Sequence, residues 1–401
     1  MFDTLDDLDP DQRVLVRLDL NSPVEDGVVQ DNRRFDRHAE TVRDLSEAGH
    51  RVALMAHQGR PGGDDFVSLE QHADILAEHA GVDVDFVDST FGDGAIATIR
   101  DLEAGDVLLL ENTRMTDDEL PEKEPEAHSK SEFVQTLAPE FDAYVNDAYS
   151  ASHRAHASLV GFPLVLPAFA GRVMVSEYEA NSAIATKEFD GDVTMVVGGT
   201  KATDVISVMN AIGDKVDTFC LGGIAGELFL RAAGNPVGED IEGMDLFDDQ
   251  WETNHETIEE LLDERGDQIK LAVDLAYEDE NGERAESPVA SITEKDRAFL
   301  DVGSDTVAEY APLIRDSEAV FVKGALGLFE DERFATGTVG VLEAIAETDC
   351  FSVVGGGDTS RAIEMYGLSE DDFSHVSIAG GAYIRALTGE PLVAVELLKH
   401  T

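Results

Sequence analysis

Basic residues are scarce in this chain. Its 401 residues include 29 Lys and Arg against 84 Asp and Glu, a formal charge of -55 at neutral pH. The acids run along the whole length rather than collecting in a tail, as expected of a solvated acidic surface. Such self-repulsion is tolerable where salt shortens the screening length to about 3 Å at molar ionic strength. The composition therefore predicts a high-salt cytoplasm, and it argues against nucleic acid and anionic membranes as partners. Cysteine is nearly absent: Cys220 and Cys350 lie far apart and outside CxxC spacing, which excludes a disulfide framework and a thiolate zinc site. Long apolar runs are missing too. Residues 159–170, the longest stretch, are interrupted by Pro163 and Pro167 and are too short to span a bilayer. Residues 1–10 have neither a basic start nor an apolar segment, so no ordinary signal peptide is expected. Two nucleotide fingerprints are also lacking, because no GxxxxGK[ST] occurs and no GxGxxG follows the first strand; this counts against P-loop and ordinary dinucleotide-binding readings.

What is present is an α/β rhythm. With 43% hydrophobic residues, the chain suggests two domains of roughly 150 to 200 residues each. Short Val- and Leu-rich runs alternate with amphipathic stretches, the pattern of βαβ units and parallel sheets. Strands are predicted at residues 14–20, 51–57, 84–87, 107–111 and 143–147, then at 193–197, 218–221, 269–275, 319–322, 351–354 and 376–378. In the first half, one helix is expected to stop at Gly49. A second is expected to open with a Ser68/Gln71 capping box and to stop at Gly81. The second half should carry helices at 202–212, 257–264, 306–315 and 338–347, with a hairpin or insertion around Gly282. The boundary is placed after residue 171, with residues 173–187 as connector: residues 1–171 plus a returning tail at 390–401 form one domain, and 172–389 the other.

In parallel sheets, ligands gather beyond the carboxyl ends of the strands. In the first half these positions hold Asp19 and Asn21, then His57, Gly59 and Arg60, then Glu111, Asn112 and Arg114, then Asn146, Asp147, His153, Arg154 and His156; Arg34 opens the first helix. Arginine's planar fork binds phosphate or carboxylate in two-pronged fashion, so four arginines on one edge of so acidic a chain predict an anion pocket. In the second half, strands run three times into paired glycines and a helix: Gly198-Gly199-Thr200-Lys201, Gly355-Gly356-Gly357-Asp358-Thr359 and Gly380-Gly381. Helix N-termini offer free amides, and glycine lets backbone approach phosphate. Lys201 supplies a point charge for a moving phosphoryl group, and Asp358 a hard oxygen for magnesium held by nucleotide phosphates.

Taken in order, these motifs resemble phosphoglycerate kinase almost end to end. VLVRLDLNSP at Val14 to Pro23 is similar to the family's VLVRVDFNVP, HQGRP at His57 to HLGRP, ENTR at Glu111 to ENLR, and NDAYSASHRAH at Asn146 to NDAFGTAHRAH. GGTK at Gly198, GLFE at Gly327 and GGGDT at Gly355 match GGAK, GVFE and GGGDS. The resemblance implies two Rossmann-like lobes, each a parallel sheet flanked by helices, joined by a hinge. It implies that Asp19, Leu20, Asn21, Arg34, His57, Gln58, Gly59, Arg60, Arg114 and Arg154 bind phosphoglycerate. Lys201, Glu330, Gly356, Gly357, Asp358 and Thr359 would bind ATP or ADP, with Glu330 on the ribose and Asp358 on Mg2+. Arg34, Lys201, Gly357 and Gly381 would stabilise the transferring phosphoryl group in direct in-line transfer between 1,3-bisphosphoglycerate/ADP and 3-phosphoglycerate/ATP after lobe closure. A monomer is expected. The chain departs from the family pattern at Val205, where many members carry a second lysine. It departs again at Lys323-Gly324-Ala325, which replaces Asn-Gly-Pro, and at Ile378-Ala379, which replaces Thr-Gly; Lys323 is expected to restore part of the lost charge. A non-catalytic two-lobed binding protein would explain the arginines but not Lys201 and Asp358. A nicotinamide-dependent dehydrogenase is disfavoured by the missing GxGxxG.

Overall fold

The computed structural model describes residues 2–239, 247–295 and 297–399. The chain divides into two compact units, Met1–Glu179 with Glu390–Thr401, and Ala180–Gly389. The division falls inside the expected connector, near the end of a helix at Arg172–Asn181. Among the described residues, no helix is long and apolar enough to cross a membrane.

In the first unit, six parallel strands, β1 Arg13–Arg17, β2 Arg51–Met55, β3 Asp85–Val87, β4 Val107–Leu110, β5 Ala143–Asn146 and β6 Ala168–Ala170, lie in the order β3-β4-β2-β1-β5-β6. Val14 of β1 stands between Val52 and Ala143. Val14, Leu15 and Val16 are all fully buried, which explains why these strands read as unbroken apolar runs: both faces of the sheet are covered. Strand β6 went unforeseen because it is three residues long and follows a proline, tolerated here because the strand lies at the sheet's edge. The tail returns to this unit as a helix at Val393–Leu398, whose Ala394 N–H donates to Ser152; residues 400 and 401 of the tail lie outside the described residues.

The helix at Glu70–Ala80 corrects one expectation. It ends at Gly81 as expected, but its N-cap is Leu69 and no capping box forms. Ser68 instead donates to Glu111 Oε2 at 2.7 Å, while Glu111 Oε1 accepts from the Leu69 N–H at 2.9 Å. A carboxylate from the end of β4 thus takes the place of the local cap, favoured by the positive end of the helix. Gln71 turns away to pair with Val29 and Gly27.

In the second unit, β7 Val193–Val197, β8 Thr218–Leu221, β9 Ile269–Lys270, β10 Ala319–Lys323, β11 Phe351–Gly355 and β12 His375–Ser377 run parallel in the order β9-β8-β7-β10-β11-β12. The single strand expected at 269–275 is two. After β9 the chain leaves this sheet, and Asp274–Glu278 pairs antiparallel with Arg284–Pro288 and Asp301–Val302. Buried Asp274 explains the break: its carboxylate accepts from the Asp305 N–H, the Thr306 N–H and the Thr306 hydroxyl, capping the helix at Ser304–Asp316. The helix expected at 257–264 runs from Phe247 to Arg265. Its buried residues Phe247, Asn254, Ile258 and Leu261 keep helical spacing, but a polar Asn254 in the series hides the period.

Candidate functional site

In the first unit, the carboxyl ends of β1, β2, β4 and β5 bring together most of the expected anion-site residues. Asp19 is buried and pairs with Arg34 Nη1 at 2.8 Å. Burial works to raise the Asp19 carboxyl, but the charge of Arg34 and a hydrogen bond from Ser150 outweigh it and hold the group well below the usual carboxylate range. Burial keeps His57 well below its ordinary value, with Arg17, Arg114 and Arg34 opposing the pull of Asp19. The ring is therefore neutral. Arg17, which can only donate, lies 3.0 Å from His57 Nδ1, so the proton sits on Nε2, where no described residue accepts it.

Arg114 is largely buried and donates to Gly59 O. Burial first, then Arg17 and Arg154, lower its guanidinium to about 10, so it remains cationic. Arg60 is exposed and Arg154 half-buried, and neither guanidinium makes a hydrogen bond or ion pair among the described residues. The concentration of cationic groups here is chemically suited to an anionic ligand.

Other expected residues shape the pocket rather than face it. Gln58 is fully buried, with its amide engaged by Ser22, Asp65 and His72. Leu20 is core. Asn21 Oδ1 accepts from the Gly59 N–H at 2.8 Å, which ties the loops after β1 and β2 together. Asp147 is structural: it accepts from His38 and from the Met174 N–H. The sequence reading missed Arg17, Glu119 and Ser158. Arg17 is almost fully buried, donates to Ser158 Oγ at 2.8 Å, and lies 4.0 Å from Glu119, which takes both the Ser158 N–H and hydroxyl. A charge ending the apolar run VLVR was the available signal. His156 beside them is held at about 4, chiefly by burial, with Arg17 and its neighbours adding to the effect.

The second unit builds its edge from backbone. At the switch point between β7 and β10, where strand order reverses, Gly198 N–H donates to Lys323 O at 2.8 Å and Gly199 N–H to Ala325 O at 2.7 Å. Gly324 sits at φ +81, and a Cβ there would lie 2.6 Å from Gly198 O, so only glycine fits. Gly356, at φ +111, precedes the helix Gly357–Met365, whose first turn carries exposed Asp358. Thr359 points back to donate to Gly355 O and Gly356 O. Gly381 opens a second helix, Gly381–Leu387. Lys201 is exposed and, among the described residues, has no hydrogen-bond or ion-pair partner. Lys323 does have one: its Nζ lies 2.8 Å from Asp204.

Behind these loops lies a cavity of about 220 Å³, lined by Gly199, Gly223, Leu275, Phe299, Glu330 and Asp358 among others. Among the described residues no cluster of three or more His, Cys, Asp or Glu could hold a metal by itself. Asp358, one free carboxylate at a helix N-terminus, fits a magnesium ion whose other ligands are nucleotide phosphates and water.

A polyphosphate cradle without a Walker loop, on the same chain as a cation-rich edge, is the equipment of a small-molecule kinase. The comparisons narrow this. A family model described as phosphoglycerate kinase matches residues 5–390. The chain is 76% identical over 398 residues to a phosphoglycerate kinase from Halorubrum lacusprofundi, covering 99% of this chain and 98% of that protein. It is 73% identical over 399 residues to one from Haloarcula marismortui, covering 100% of both. A crystal structure of phosphoglycerate kinase from Pyrococcus horikoshii superposes with a TM-score of 0.91 at 33% identity, covering 100% of this chain and 98% of that one. The chain belongs to the phosphoglycerate kinase family.

Proposed function

We propose that the protein moves a phosphoryl group reversibly between 1,3-bisphosphoglycerate with ADP and 3-phosphoglycerate with ATP, using the first unit for the phosphoglycerate and the second for the nucleotide. The observation that carries this reading is the concentration of Arg34, Arg114 and Arg154 with neutral His57 around the buried acids Asp19 and Glu119, with exposed Arg60 on the loop after β2. Arg34 would hold the phosphoglycerate and the transferring group. His57 Nε2–H, Arg60, Arg114 and Arg154 would bind its phosphate and carboxyl ends, with Asp19, Asn21 and the Gly59 backbone setting the loops. The phosphoglycerate carboxylate is ionised at neutral pH, so the reaction needs no general base. Its barrier falls through alignment and charge stabilisation.

In the second unit, Lys201 and the amides of Gly357 and Gly381 would meet the transferring phosphate, while Glu330 would take the ribose and Gly356 to Thr359 the polyphosphate. Asp358 would help to hold Mg2+, which supplies charge neutralisation on the phosphates when bound. Transfer requires the two ligands to come within bonding distance, so domain closure belongs to the cycle. We place the enzyme in a salt-rich cytoplasm, as a monomer without nucleic-acid or membrane partners. Its acid excess and the haloarchaeal relatives support that setting.

The test is ADP formation from ATP, magnesium and 3-phosphoglycerate in molar KCl, with the product removed by a coupling enzyme. Turnover that requires 3-phosphoglycerate supports the reading. A folded protein that binds both ligands without turnover would return it to the class of binding proteins.

A further inference from the structure

We propose that Gln250 is a positioning residue for Lys201: its side-chain amide grips the backbone on both sides of that lysine and so fixes the direction in which the lysine side chain leaves the chain. The inference rests on the reading of Lys201 as a cation for the transferring phosphoryl group. Gln250 stands in the first turn of the helix Phe247–Arg265. Its Oε1 accepts from the Ala202 N–H at 2.7 Å, and its Nε2 donates to Thr200 O. The helix Ala202–Ile212 has Lys201 at its N-cap, which supplies no side-chain cap, so the Gln250 amide satisfies one of the donors left over at that helix end.

Those two bonds fall on consecutive peptide planes. Thr200 O belongs to the plane before the Lys201 Cα, and the Ala202 N–H to the plane after it. A peptide plane is rigid, and the two torsions between successive planes are the backbone's soft ones. A group that holds both planes therefore holds φ and ψ of Lys201, at -113° and 106°, and with them the direction of its Cβ. The lysine has no other anchor: it is exposed and, among the described residues, its amine has no partner. Gln250 is itself held in place. Phe247 at the start of its helix is buried, Arg231 lies over the Trp251 ring at 4.5 Å, and Asn254 Nδ2 donates to Gln250 O at 2.7 Å.

The residue type matters. Asp248, Asp249 and Glu252 surround Gln250 in sequence, and a carboxylate in its place could accept from Ala202 but could not donate to Thr200 O. It would also add a negative charge beside the turn that carries Lys201. The neutral amide makes both bonds and leaves the lysine's charge uncompensated, as a group that stabilises a moving phosphoryl group requires.

The experiment is a double-mutant cycle on the full chain in molar KCl, with Lys201→Ala, Gln250→Ala and the two combined. Gln250→Met, which keeps the side chain's length and loses both bonds, is a second probe. Turnover with ATP, magnesium and 3-phosphoglycerate gives kcat and KM, and titration gives the affinity for ATP. Each Gln250 variant should lower kcat by roughly ten- to a hundredfold, leave the KM for 3-phosphoglycerate unchanged and weaken ATP. In the Lys201→Ala background, Gln250→Ala should have no further effect on kcat or on ATP affinity. Full turnover in a folded Gln250 variant, or an undiminished Gln250 effect without Lys201, overturns the proposal. If the wild type fails to turn over 3-phosphoglycerate while the ATP affinities show the coupling, the kinase reading fails and this inference stands. If turnover is present and the two substitutions act independently, this inference alone falls.

Discussion

The two units share an architecture and build their candidate anion sites in opposite ways. Both are six-stranded parallel sheets, yet the first inserts its fourth strand between the second and third, whereas the second keeps the order 3-2-1-4-5-6. The first edge presents side chains, guanidiniums and a neutral imidazole, the imidazole held by Arg17 of a buried set with Glu119 and Ser158. The second presents backbone, with glycines packed so closely that Gly324 and Gly198 leave no room for a Cβ. Side-chain forks can read a small, asymmetric acid from several directions, while amides and glycines suit a polyphosphate chain. In a chain of net charge -55, concentrating cations at one edge and using uncharged donors at the other limits how many basic residues the protein must keep.

The sharpest way to break this contrast is Arg34→Ala. Removing a positioned charge from the transferring group should lower turnover by about 10²- to 10³-fold and abolish 3-phosphoglycerate binding while leaving ADP affinity unchanged, as separate titrations would read. A smaller effect concerns the first unit's buried imidazoles. His72 and His156 are both held near 4, each chiefly by burial, and would titrate near 6.5 once unfolded. A base with a depressed folded pKa contributes stability that is present above the unfolded value and is lost as the unfolded chain takes up the proton. These two groups should therefore make stability in denaturant unfolding fall from pH 6.5 toward 4, and the depressed Asp19 carboxyl should carry the fall further below 4. His72→Gln should flatten about 2 to 3 kcal/mol of that slope.

On the backbone side, Gly324→Ala should weaken nucleotide binding and cost about 1 to 3 kcal/mol in thermal or chemical unfolding, with 3-phosphoglycerate binding intact. The smallest effect is expected at Lys323. Its ion pair with Asp204, both partners partly exposed, is worth about 0 to 1 kcal/mol of stability, so Asp204→Asn should leave unfolding nearly unchanged. That substitution should free the amine and tighten ADP a few-fold, about the worth of one exposed charge contact, whereas Lys323→Ala should loosen ADP. Unchanged nucleotide affinity and turnover in Lys323→Ala would remove Lys323 as the substitute for the lysine absent at Val205.

The sequence made the sheets legible because buried parallel strands are written as apolar runs; β7 and β8 lie at the predicted residues. It failed where a polar residue does structural work at long range. Asp274 caps a helix 30 residues on and splits an apparent strand, Glu111 replaces a local cap, and Asn254 interrupts a helical period. The candidate residues of the first edge were visible as charges just past strand ends. Arg17 and Glu119 were not, since nothing in a one-dimensional pattern reports that a charge is buried with a partner a hundred residues away.

The most direct test of the division between the units is a pair of titrations on Arg34→Ala in molar KCl, one with 3-phosphoglycerate and one with ADP. Loss of the first with retention of the second is the predicted result. Retained 3-phosphoglycerate binding in this folded variant would contradict the assignment of that ligand to the first unit's arginine edge.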